Sequence, residues 1–173
     1  MIELIAGGAR SGKSTYALKA AEAKSGNKVF VATATADDDE MKERIIRHQA
    51  QRNRDWRLVE QPQYLAKVVE QFGSADVLLI DCLTLWLSNW LCSERYDQWE
   101  REKQQFLRAL TDTEAEVLLV TNEVGMGVVS ANQLSRQFVD QSGWLHQDIA
   151  AVADRVTMIM FGLPYCLKGE GGG

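Results

Sequence analysis

Short apolar runs alternate with amphipathic segments along most of the chain. Five runs are rich in branched residues and nearly free of polar ones, which is typical of strands buried on both faces of a sheet; they cover residues 2–6, 29–33, 77–80, 117–121 and 156–161. Helical periodicity fills the intervals, at about 14–24, 38–52, 62–72, 84–92, 97–111 and 132–153. We expect Ser142-Gly143 to divide the last segment into two helices. The alternation predicts a three-layer α/β fold with a mostly parallel central sheet.

The pattern contains no internal repeat and no linker-like stretch. The chain of 173 residues is therefore expected to form a single domain over residues 1–168. The last residues, 169–173, are almost all glycine and are expected to form a flexible tail.

Composition indicates which binding partners and which cellular compartment to expect. A net charge of −5 argues against nucleic-acid binding by bulk charge. The three cysteines form no C-x-x-C pair and are odd in number, which favours reduced thiols over disulfides or a zinc site. The start of the chain has no signal-peptide pattern and no apolar run is long enough to insert into a membrane, so we expect a cytoplasmic protein.

The most specific motif follows the first apolar run. Residues 7–14 match the phosphate-loop pattern G-x-x-x-x-G-K-[ST] at every fixed position and read Gly7, Gly8, Ala9, Arg10, Ser11, Gly12, Lys13, Ser14. In this motif the glycines let backbone N–H groups surround phosphate oxygens, the lysine reaches the β- and γ-phosphates, and the hydroxyl of Ser14 is a ligand for Mg²⁺. A glycine-rich turn without a ligand is the alternative, and a lysine beside a serine at a helix start disfavours it.

A histidine between two arginines lies on the helix predicted after the second strand. Arg44, His48 and Arg52 are spaced by four residues, so they share one helix face. Two guanidinium groups would keep the imidazole neutral and nucleophilic, and they could hold a polyphosphate that it attacks. Spacing alone favours the other interpretation, a solvated and charged helix face. His146, in a later amphipathic segment, is expected to be a partly buried helix residue.

Polar residues end two of the later strands. Asp81 follows Val77–Ile80 and is favoured as a residue that orders Mg²⁺, although a helix-capping role is open. Residues 121–123 (Thr-Asn-Glu) precede a glycine-containing loop and are equally compatible with an active-site wall and with a plain connection. Acidic residues 37–40 are favoured as a helix start over a metal site. Trp86, Trp90 and Trp99 are expected in the core or at a subunit contact.

These motifs, taken in order, resemble one family. The sequence is similar to bifunctional adenosylcobinamide kinase/adenosylcobinamide-phosphate guanylyltransferases of cobalamin biosynthesis. The resemblance rests on residues 7–14, 32–35 with 38–41, 44–48 with Arg52, Trp56 and Glu60, 118–127, and 162–164. The Thr-Asn-Glu-Val-Gly-Met-Gly block at 121–127 is the most specific segment. Asn53 departs from the proline usual in the family, which could loosen the loop after the histidine helix.

The resemblance implies a phosphate-loop NTPase-like (RecA-like) fold and two linked reactions. Adenosylcobinamide would be phosphorylated with ATP or GTP, and GMP would then pass from GTP to adenosylcobinamide phosphate through a GMP-histidine intermediate. His48 matches that histidine, which reverses the preference drawn from spacing. The resemblance also implies Mg²⁺ at Ser14 and Asp81, phosphate contacts by Arg44 and Arg52, and a homotrimer. The nucleotide contacts it implies are Gly7, Gly8, Ala9, Arg10, Ser11, Gly12, Lys13, Ser14, Thr15, Thr33, Ala34, Thr35, Gln49, Ala50, Gln51, Arg52, Glu60 and Asp81.

Two other function classes are compatible with the phosphate loop. A monofunctional small-molecule kinase would transfer the γ-phosphate only. A nucleotide-dependent switch should carry an Asn-Lys-x-Asp motif that reads guanine, and the Thr-Asn-Glu-Val at residues 121–124 does not provide it. The preference for guanine therefore rests on the resemblance.

Overall fold

The central feature of the fold is a seven-stranded sheet in the order β3-β2-β4-β5-β1-β6-β7. The computed structural model describes residues 1–34 and 56–169. The strands are β1 Ile2–Gly7, β2 Asn27–Ala32, β3 Arg57–Glu60, β4 Asp76–Asp81, β5 Glu116–Asn122, β6 Arg155–Met160 and β7 Leu163–Lys168. All neighbouring pairs are parallel except β6 and β7, which form an antiparallel hairpin.

Helices cover both faces of the sheet. They are α1 Lys13–Glu22, α2 Leu65–Val69, α3 Leu83–Leu91, α4 Trp99–Asp112 and α5 Gln133–Val152, with a short 3₁₀ helix at Tyr96–Gln98. One apolar core lies on the α2–α5 side and contains the buried rings of Trp86, Trp90, Trp99 and Phe106. A smaller core packs α1 against the other face through Ala17, Leu18 and Ala21. No helix within residues 1–34 and 56–169 has the length and apolar character that a membrane crossing requires.

The predicted three-layer α/β fold with a mostly parallel sheet is confirmed, and two strands and one helix differ from prediction. The strands β3 and β7 were not predicted, because their side chains are largely exposed and break the apolar pattern. The predicted break at Ser142-Gly143 is wrong, since α5 runs uninterrupted through both residues. Ser142 is buried in the middle of this helix, and packing there outweighs the low helix propensity of glycine, about 1 kcal/mol. The predicted helix over 38–52 lies outside the described residues.

The strand register brings the ends of six parallel strands to one edge of the sheet. Gly7 is in register with Asn122 of β5 and Ile159 of β6. Ala32 is in register with Asp81 of β4 and Glu60 of β3. Ligand sites of open α/β sheets lie at such carboxyl edges, so the sequence motifs converge where chemistry is expected.

Candidate nucleotide-binding site

The phosphate loop connects the end of β1 to the start of α1. Gly12 caps the helix with φ 95°, a left-handed conformation that side chains rarely adopt. A Cβ on Gly7 would lie 2.6 Å from the carbonyl oxygen of Ile159, so glycine is required there by contact with β6. The N–H of Gly162 donates to the carbonyl of Ser11 at 2.9 Å and ties the loop to the turn between β6 and β7.

Positive electrostatic potential collects at the start of α1. Gly12 offers no side-chain cap and the first turn contains no acidic residue, so nothing in α1 itself neutralises the positive end of the helix. The ammonium group of Lys13 lies over the loop, where Nζ donates to the carbonyl of Gly8 at 3.2 Å. Amides and an ammonium group around one loop form a site for phosphate oxygens.

Asp81 ends β4 two strands away from the phosphate loop. Its strand position is in register with Ala32 on one side and Val120 on the other. The neighbouring thiol of Cys82 is buried, and burial together with the negative charge of Asp81 raises its pKa to about 12. The Cys82 thiol therefore stays protonated and is not a nucleophile at neutral pH.

Thr33 joins the ends of β2 and β4 through its hydroxyl. The group donates to the carbonyl of Cys82 at 2.7 Å and accepts from the Cys82 N–H at 2.8 Å. The carbonyl of Thr33 accepts a hydrogen bond from Asn89 Nδ2 at 2.8 Å. Thr33 is fully buried, and its side chain holds the sheet edge together. These contacts join residues 49 and 56 positions apart, and no local sequence pattern signals the role of Thr33 or of Asn89.

A second polar network lies at the end of β5. The Asn122 N–H donates to Thr84 Oγ1 at 2.7 Å, and Thr84 Oγ1 is 3.2 Å from Thr121 Oγ1. Thr121 Oγ1 is in turn 2.7 Å from Nε2 of His146 on α5. These residues are 25 and 37 positions apart in the chain, and no local motif signals their contact.

The same network reaches the carboxylate of Glu123. His146 Nδ1 lies 3.9 Å from Glu123 Oε2, and the Gly125 N–H donates to Glu123 Oε1. The Glu123 N–H donates to the carbonyl of Gly7 at 3.0 Å, which places Glu123 directly beside the phosphate loop. Burial lowers the pKa of His146, and the charge of Glu123 opposes this only in part, so the ring is neutral at pH 7. The expected partly buried environment of His146 is confirmed.

The donor set is suited to Mg²⁺ and phosphate. Ser14 and Asp81 carry side-chain oxygen atoms of the kind that Mg²⁺ prefers. The described residues contain no cluster of three or more His, Cys, Asp or Glu side chains that would hold a metal by themselves. Two buried oxygen atoms beside Gly7, Ser11 Oγ and Asn122 Oδ1, have no hydrogen-bond partner within the described ranges. Unpaired polar atoms of this kind mark places that ligands or water complete.

The remaining predicted residues divide into two groups. Thr15 is exposed in the first turn of α1, Ala34 is half-buried after β2, and Glu60 is exposed at the end of β3. The other group lies outside the described residues and consists of Thr35, Arg44, His48, Gln49, Ala50, Gln51 and Arg52. The tryptophans predicted for the core are confirmed there, with Trp86 0%, Trp90 0% and Trp99 2% exposed.

Solved structures similar to this chain include an ATPase and a KaiC-like protein. An ATPase of the type III secretion system of pathogenic bacteria aligns with a TM-score of 0.60 and 11% identity over 95% of this chain and 56% of that one. A KaiC-like protein from Pyrococcus horikoshii OT3 aligns with a TM-score of 0.50 and 18% identity over 91% of this chain and 69% of that one. At these identities the likeness shows the fold alone.

Sequence comparison identifies relatives that match along their whole length. The bifunctional adenosylcobalamin biosynthesis protein CobP of Pseudomonas aeruginosa is 46% identical over 172 residues, which cover 98% of this chain and 99% of CobP. The bifunctional adenosylcobalamin biosynthesis protein CobU of Escherichia coli K12 is 35% identical and covers 97% of this chain and 100% of CobU. The family model described as cobinamide kinase / cobinamide phosphate guanyltransferase matches residues 3–167, and this chain belongs to that family.

Proposed function

We propose that this protein phosphorylates adenosylcobinamide and then transfers GMP from GTP to the resulting phosphate, which yields adenosylcobinamide-GDP. The observation that carries the proposal is the family match over residues 3–167, which includes the phosphate loop and the sheet edge where Asp81 and Glu123 lie. The phosphate loop supports a nucleoside triphosphate as the donor in both reactions.

In the kinase reaction, the aminopropanol hydroxyl attacks the γ-phosphorus of ATP or GTP. The new O–P bond replaces the bond to the β-phosphate oxygen, and the nucleoside diphosphate leaves. Lys13 and the loop amides would stabilise negative charge on the phosphates, and such positioning with charge stabilisation is most of what phosphoryl transfer requires. Ser14 and Asp81 would hold Mg²⁺, which supplies charge neutralisation between the phosphates when it is bound.

In the guanylyl reaction, an imidazole nitrogen of His48 attacks the α-phosphorus of GTP. The bond between the α-phosphorus and the bridging oxygen breaks, pyrophosphate leaves, and GMP is held on the histidine through a P–N bond. A phosphate oxygen of adenosylcobinamide phosphate then displaces the histidine, which forms the diphosphate of the product. Arg44 and Arg52 are the groups proposed to hold the transferred phosphate.

Labelled GTP tests this mechanism directly. Incubation with α-labelled GTP should attach label to the wild-type protein in a bond that acid breaks and base does not, whereas His48→Ala should take up none. The chain contains two histidines, so His146→Gln is the matched variant and should keep the adduct. Equal labelling of wild type and His48→Ala would contradict the intermediate. Transfer of γ-label with no α-label in any variant would instead identify a monofunctional kinase.

We also propose a cytoplasmic homotrimer. Large apolar side chains are exposed along β7 and the turn before it, with Phe161 97%, Leu163 70%, Tyr165 61% and Leu167 57% exposed. An exposed apolar edge strand favours pairing with another copy of the chain. The cysteines are free thiols, which supports a reducing compartment. Sedimentation equilibrium should give three times the monomer mass of 19.4 kDa, and Phe161→Ser should weaken the assembly.

A further inference from the structure

The polar groups around His146 indicate which ring nitrogen carries the proton. Two hydroxyl groups converge on Nε2, from Thr121 at 2.7 Å and from Ser142 at 3.4 Å. The other nitrogen, Nδ1, faces the carboxylate of Glu123, which can only accept a proton. A neutral ring has one N–H, so this arrangement favours a proton on Nδ1 and a bare Nε2 that accepts from Thr121.

Glu123 connects this ring to the phosphate loop. Its carboxylate accepts the Gly125 N–H, and its own N–H donates to the Gly7 carbonyl. The side chain retains 22% exposure, so the carboxylate borders solvent at the carboxyl edge of the sheet. The Gly125 amide therefore holds one carboxylate oxygen by a hydrogen bond, His146 Nδ1 lies 3.9 Å from the other, and the solvent-facing side of the group is open.

The charge of Glu123 restricts what can bind on that open side. A carboxylate beside the phosphate loop repels phosphate oxygens at short range, so its useful partner is a hydrogen-bond donor. The kinase reaction brings one such donor to this edge, the hydroxyl that attacks the γ-phosphorus. The guanylyl reaction does not, because its acceptor is a phosphate.

We propose that Glu123 accepts the proton of the attacking hydroxyl in the kinase reaction, and that His146 is its positioning residue. The inference rests on the proposed kinase function. As the substrate oxygen bonds to the γ-phosphorus, its O–H bond breaks and the proton passes to Glu123, while the diphosphate leaves with the bond electrons. His146 acts electrostatically, because its Nδ1–H dipole faces the carboxylate across 3.9 Å, and Thr121 fixes the ring by donating to Nε2.

Comparing the two partial reactions distinguishes a catalytic role of Glu123 from a purely structural one. Glu123→Gln should lower kcat for phosphorylation by about 100-fold or more, which is the usual contribution of a general base. His146→Ala should lower the same kcat by about tenfold, because the carboxylate loses the polar group that faces it across 3.9 Å. Labelling from α-labelled GTP should fall far less in both variants, because it needs no proton acceptor on the substrate. Equal losses in the two reactions, or no loss in either, would overturn the proposal.

Thr121 provides a matched pair of variants. Thr121→Val keeps the shape and removes the hydroxyl, so phosphorylation should fall as it does in His146→Ala. Thr121→Ser restores the donor and should recover most of the rate. A serine variant as slow as the valine variant would mean that Thr121 acts through packing and not through the ring.

Nitrogen NMR of histidine tests the geometry without any activity. In protein labelled with ¹⁵N-histidine only two side chains report, and His146→Gln assigns the pair. The expected signature at pH 7.5 is a protonated Nδ1 and a bare Nε2 for His146, and Thr121→Val should disturb it. A proton on Nε2 would overturn the positioning role. Absence of both enzymatic reactions in wild-type protein with the expected signature would contradict the proposed function instead.

Discussion

Replacing Thr33 with valine should destabilise the protein through one orphaned amide. The Thr33 hydroxyl is the acceptor for the Cys82 N–H and the donor to the Cys82 carbonyl, in a fully buried position. That carbonyl also accepts from the Trp86 N–H at 3.1 Å, so it keeps a partner in the variant. The Cys82 N–H has no second hydrogen-bond acceptor among its described contacts. A buried donor left without a partner costs about 1–3 kcal/mol, and we expect Thr33→Val to lose about 2–3 kcal/mol.

Thr33→Ser is the control for this argument. It keeps the hydroxyl and removes one buried methyl group, which costs about 1 kcal/mol. Urea unfolding at 25 °C, followed by circular dichroism, should rank the free energy of unfolding as wild type above serine above valine, with similar slopes against urea. A valine variant at least as stable as the serine variant would refute the reasoning, since apolar packing would then be the main contribution of Thr33.

Three further predictions concern the loop and a buried carboxyl. Lys13→Ala should reduce both phosphorylation and labelling from α-labelled GTP by about 100-fold, because it removes a charged contact to the phosphates that both reactions share, and full kinase activity would contradict this. Gly12→Ala should cost about 1–3 kcal/mol through its φ of 95° and the contact of its Cβ with Gly162 at 3.3 Å, and calorimetry should show weakened GTP binding. Burial raises the pKa of the Glu102 carboxyl, and the hydrogen bond from the Ala66 N–H opposes that shift. The folded protein therefore favours the protonated carboxyl. The contribution of Glu102 to the free energy of unfolding is full below its unfolded pKa near 4.5 and is lost as pH rises through the folded pKa. Glu102→Gln should therefore gain stability relative to wild type between pH 4 and pH 7 in urea unfolding, and an unchanged difference would count against the linkage.

Most of the sheet is predictable from the sequence because the central strands are buried on both faces. Runs such as Leu78–Ile80 and Val117–Val120 contain only branched apolar residues and are fully buried or nearly so, which is the pattern of strands covered on both faces. The strand β7 is different, because five of its six residues are exposed and it is recognisable only through its pairing with β6. Ser142-Gly143 wrongly predicts a helix break, because the contacts that keep α5 continuous are made with other elements and leave no local signal in the sequence.

The candidate site is predictable only where its chemistry is local in sequence. The phosphate loop can be predicted from the sequence because eight consecutive residues form the whole motif. Thr33, Asn89 and the network from Thr84 to His146 join residues that are 25 to 56 positions apart, and only the fold brings them together. Glu123 was recognised as a polar strand end, whereas its contacts with Gly7 and His146 give it a specific role in the proposal.

The most direct test of the account is a product assay with both nucleotide labels. Purified protein is incubated with adenosylcobinamide, Mg²⁺ and either γ-labelled ATP or α-labelled GTP, and the corrinoid products are separated. The account predicts γ-label in adenosylcobinamide phosphate and α-label in adenosylcobinamide-GDP, with His48→Ala forming the first product and not the second. Formation of adenosylcobinamide-GDP by His48→Ala at the wild-type rate, or α-label in no corrinoid product, would contradict the central claim.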